Sequence, residues 1–106
     1  MEKVIDLLKS EREQTKHAIE FFKKEIKSSE EAIEKLQSPD FIEKHKDSSN
    51  WTESWTIEQY IRFNVSSYNR AISKYTEKLG EANEYLLQIE KALTVLNGGA
   101  RKTPSL

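Results

Sequence analysis

Residues 61–96 read IRFNVSSYNRAISKYTEKLGEANEYLLQIEKALTVL. Ile61, Val65, Tyr68, Ile72, Tyr75, Leu79, Ala82, Leu86, Ile89, Leu93 and Leu96 recur in this stretch at alternating steps of four and three. All eleven are apolar or aromatic. An α-helix turns once every 3.6 residues, so this spacing lays one apolar stripe along one helix face. The pattern predicts a helix over 56–97. Thr56 and Gln59 stand three apart at its start, the form of a capping box, so the helix is expected to begin there. Asn97, Gly98 and Gly99 supply residues that end a helix in the left-handed conformation. Gly80 lies mid-helix beside the stripe and is expected to mark a close helix approach.

Toward the N-terminus, residues 2–37 repeat the signal in a weaker form. With Ile5 at heptad position a, the a series is Ile5, Arg12, Ile19, Ile26 and Ile33, and the d series is Leu8, Thr15, Phe22, Ser29 and Leu36. Seven of these ten seam positions are apolar at the 3.5-residue spacing of a coiled coil. Glu, Lys and Gln fill the outer positions and favour helix. Arg12, Thr15 and Ser29 interrupt the seam. Polar seam residues fix register at a cost in stability, and the long Arg12 stem can carry its head out to solvent.

The connector is 38–55. Ser38-Pro39 reads as an N-cap followed by proline at the first helical position, opening a short turn over 40–45. A polar loop follows, then Trp51 and Trp55 before the second long helix. Two helices of similar length with one connector pair most simply antiparallel, which sets Leu8 near Leu93 and Leu36 near Ile61. The expected fold is therefore all-α: a coiled-coil-like antiparallel helical hairpin domain over 1–99 with a flexible tail at 100–106. Val4, Leu7, Ala18 and Phe21 in the first helix fall off the seam. So do Tyr60, Phe63, Tyr85, Leu87, Ala92 and Val95 in the second. These residues predict a second contact face, covered in a dimeric four-helix bundle or a higher oligomer.

Composition narrows the function. Apolar residues make up 36% of the 106 and charged residues 33%, with a formal net charge of −1. That balance disfavours nucleic acid as a partner. The absence of cysteine removes disulfides, thiolate metal sites and a cysteine nucleophile. No apolar run reaches signal-peptide or membrane-span length, so the cytoplasm is the expected location, without membrane partners. No phosphate-binding glycine loop, nucleophile triad or metalloprotease pattern is present, so no enzyme activity, catalytic residue or cofactor is expected. His17 has Glu13 and Glu20 near it but falls at an outward heptad position, and His45 has no ligand set around it. No metal site is expected.

Two groups remain as binding candidates. Trp51, Trp55, Tyr60 and Phe63, with Phe41, form an aromatic group about the connector. It reads either as a lid on the end of the hairpin or as a partner-binding hot spot, where Trp and Tyr are enriched. Trp55 is expected to be buried at the helix start and Trp51 exposed on the loop side. The second group is the row Arg62, Ser66, Arg70, Lys74 and Lys78 at steps of four, with Asn64, Ser67, Asn69 and Ser73 nearby. Arg62, Arg70 and Lys74 are its candidates for holding an anion such as a nucleotide phosphate.

In size and hairpin plan the chain resembles the WXG100 proteins of type VII secretion, which implies a secretion partner or chaperone. At the place of that family's Trp-x-Gly turn stand Trp51-Thr52-Glu53 and Trp55-Thr56-Ile57, without the glycine. Its export motif sets an acidic residue four after a tyrosine, and here Tyr85 is followed by Ile89. The plan is also similar to that of small helical phage proteins that inhibit host factors. The leading reading is a non-enzymatic helical interaction protein, a small regulator or inhibitor that binds itself and another protein. The second is an oligomer that sequesters a small anionic ligand such as a nucleotide signal. The third is the secretion partner.

Overall fold

The computed structural model describes residues 2–48 and 50–98. It contains α1 (Glu2–Leu36), α2 (Pro39–His45) and α3 (Ile57–Leu93), followed by a π-helical turn over Thr94–Gly98. There is no strand among the described residues. The long α1 packs against the long α3 with the short α2 between them in sequence, as a helical hairpin. The tail expected at 100–106 and the Gly99 cap lie outside the described residues.

Local chemistry sets the helix ends. The Ser38 side chain accepts from the Phe41 amide at 3.1 Å, and Pro39, which has no N–H to satisfy, takes the first turn of α2. At α3 the capping box is reciprocal. The Gln59 amide donates to the Thr56 hydroxyl at 3.2 Å, and the Thr56 amide donates to Gln59 Oε1 at 3.0 Å. The second long helix, expected over 56–97, is α-helical over Ile57–Leu93 and continues as the π-turn to Gly98. The Thr94 hydroxyl donates to the Glu90 carbonyl at 2.9 Å, a back-bond that competes with the regular ladder where the π-turn begins.

The chain packs as two compact units: Met1–Lys23 with Glu77–Leu106, and Lys24–Thr76. In the unit of the chain ends, Thr15, Ile19, Ile89 and Leu93 are buried. Arg12 faces Glu90, and Lys16 to Lys23 share a shallow hollow with Asn83 and Leu86, so the helices run antiparallel. Thr15 satisfies its hydroxyl on the Glu11 carbonyl at 2.7 Å. Arg12 carries its guanidinium outward to within 3.9 Å of Glu90, while its buried Nε has no hydrogen-bond partner. In the Lys24–Thr76 unit, Ser29 and Leu36 are buried, and the α3 stripe residues Ile61, Val65, Tyr68, Ile72 and Tyr75 are half-buried.

Every described seam position of both long helices is buried or half-buried, so the heptad register holds. Gly80 does not mark a close approach. It is exposed, and a Cβ placed on it would meet nothing within 4 Å.

Candidate functional site

The aromatic connector condenses around Tyr60. Its ring lies 5.3 Å from Trp51, 6.3 Å from Phe41 and 6.5 Å from Trp55, measured between centroids. Phe41 also packs at 4.4 Å, centroid to centroid, on His45, which is half-buried. The Trp51 indole N–H donates to the His45 carbonyl, so the loop after α2 is tied back onto its last turn. The two tryptophans exchange their expected places: Trp51 is half-buried and Trp55 is 40% exposed. The reason is local. The Thr52–Trp55 turn, closed by the Trp55 amide on the Thr52 hydroxyl at 3.0 Å, leaves Trp55 on the outside, where it meets Phe63 edge-on at 6.0 Å. Phe63 itself is 58% exposed. Trp51 and Tyr60 thus act in the lid, while Trp55 and Phe63 form an outward aromatic pair. Phe41, His45, Ser48, Asn50, Trp51 and Tyr60 bound a hollow of about 360 Å³ there, and one edge of Trp55 reaches it as well.

The anion candidates separate. Arg62 and Arg70 line a groove of about 880 Å³ along α3, and Lys74 does not. The Lys74 ammonium instead sits 5.6 Å from the centre of the neighbouring Tyr75 ring. Arg70 donates to the hydroxyls of Ser66 and Ser67, each at 3.3 Å. The two arginines are eight residues apart, about 12 Å along the helix.

Of the apolar lining of this groove, sequence reasoning names Ile61 and Val65 only as seam residues and misses Ile42. A signal for Ile42 was present. Adjacent helix residues point about 100° apart, so in a helix as short as α2, Phe41 and Ile42 cannot both face the same cluster. Phe41 turns to Tyr60, and Ile42 is left exposed at the groove.

The third surface belongs to the unit of the chain ends. Val4, Leu7 and Phe21 on α1 are exposed, as are Tyr85 and Leu87 on α3 and Val95 in the π-turn, with Leu7 at 67% and Val95 at 70%. Among the described residues no group of three or more His, Asp or Glu side chains is placed to hold a metal ion. Nor is any helix among them long and apolar enough to cross a membrane. No family model matches the chain, and no curated protein or solved structure matches it.

Proposed function

We propose that this chain is a non-enzymatic helical interaction module that self-associates through the apolar surface of its chain-end unit. One observation carries the reading. Six large apolar side chains in that unit, Val4, Leu7, Phe21, Tyr85, Leu87 and Val95, stay exposed, while no described side chain anywhere is fully buried. These six side chains leave apolar surface in water on both long helices, which a single hairpin does not cover. Covering that surface with a second copy supplies the burial that one hairpin lacks. A small regulator or inhibitor acting by occupying a partner's surface fits this design, with the outward pair Trp55 and Phe63 as aromatic anchors.

The test is a double charge substitution, Leu7→Glu with Val95→Glu, followed by sedimentation and circular dichroism. Both side chains are already in water within one chain, so helicity at saturating structure should persist while the sedimenting mass falls. An unchanged mass would remove this face from the account.

A further inference from the structure

In the Lys24–Thr76 unit Ile61 and Val65, at the start of the α3 stripe, are half-buried and keep part of their surface uncovered. With Ile42 from α2 they give the groove of about 880 Å³ its apolar lining. Its α3 edge runs from Glu58 to Ser73, about 22 Å or four helical turns. Along it the charges fall in the order Glu58, Arg62, Arg70.

We infer that this groove receives an amphipathic, acidic helix from a partner protein. The inference rests on the reading of the chain as an interaction module and names the chemistry of its partner. The groove runs beside the α1–α3 seam, and an apolar groove along a helix pair is a surface onto which a further amphipathic helix packs. Its length suits a helical segment better than a compact small molecule. The charges set the register. Carboxylates two turns apart on a helix lying along the groove come level with Arg62 and Arg70, about 12 Å apart. Arg70 is held in position by the Ser66 and Ser67 hydroxyls. Glu58, one turn before Arg62, repels a carboxylate at that end and disfavours a shift of the acidic helix toward it. Apolar side chains of the same helix meet Ile42, Ile61 and Val65.

The probes are two fluorescein-labelled helical peptides of about 18 residues, both with leucines at four-three spacing. One carries glutamates eight apart and the other lysines in their place. The full chain should bind the acidic peptide, more weakly as salt is raised, and bind the basic one at least about tenfold less well. Arg62→Glu with Arg70→Glu should reverse that preference. Should this pair lose helicity, Arg62→Gln with Arg70→Gln should still lower acidic-peptide affinity severalfold. Equal binding of both peptides, or no change in either variant, overturns the inference. Displacement of the acidic peptide by inorganic pyrophosphate or ATP at equal stoichiometry overturns it in favour of a small-anion site. A drop in the sedimenting mass of the peptide-free double variant overturns it in favour of a second copy in the groove. Loss of peptide binding in a chain that still sediments as an oligomer removes the groove assignment alone. A monomeric chain that binds the acidic peptide upholds the groove and removes self-association alone.

Discussion

Gly80→Ala isolates the backbone of α3 from its packing. Gly80 sits in the middle of a 37-residue helix, is exposed, and has open space where a Cβ would go. Its φ is negative, so alanine meets no conformational strain. Two effects then act in the same direction. Alanine is the better helix former by about 1 kcal/mol, part of which is the reduced freedom of the unfolded chain. No clash subtracts from that gain, because beyond its own turns of helix nothing lies within 4 Å of the added Cβ. A gain of about 1 kcal/mol in a chain of this size raises the melting midpoint by roughly 4 °C. The assay is thermal unfolding followed by circular dichroism, with both proteins at the same concentration, since an oligomer's midpoint depends on it. A lower midpoint would refute the reasoning by showing that something packs on Gly80. If the sedimenting mass fell as well, that something would be a second copy.

Thr56→Ala removes one half of the capping box and should lower stability by about 1 kcal/mol in a chemical melt; no change would mean the box does not form in solution. Trp51→Ala should destabilise by about 2 kcal/mol, below the full-burial range because the ring is half-buried, and Trp55→Ala by clearly less; the reverse ranking in thermal melts would contradict the placement of both rings. Thr15→Val replaces a buried hydroxyl, bonded only to its own helix, with a methyl of similar shape, and should stabilise by about 1 kcal/mol. A loss of stability there would show that the Thr15–Glu11 bond matters more than seam hydrophobicity.

The helices were legible because their signals are local and repeated. The eleven-position row in α3, the Ser38-Pro39 start of α2 and the Thr56–Gln59 box each specify structure within a few residues, and each forms as its spacing implies. The π-turn was not legible, since the apolar spacing continues unchanged from Leu93 to Leu96 across it. The tryptophans were misplaced for a similar reason. Their order depends on the Thr52–Trp55 turn and on the indole of Trp51 reaching six residues back to His45, and no periodicity encodes either contact. Of the anion row, Arg62 and Arg70 stay on one groove because eight residues keep nearly the same helix face. Lys74 extends the row by sequence, but its flexible stem settles beside Tyr75. The apolar lining of the groove comes from two helices far apart in sequence, so only the folded chain brings it together.

Sedimentation equilibrium of the native chain across a micromolar concentration series tests self-association most directly. The mass of one chain is 12.4 kDa. The account predicts a limiting mass of at least two chains, reached well within the micromolar range, with Leu7 and Val95 protected from solvent in that species. A single species at 12.4 kDa throughout the series would contradict it.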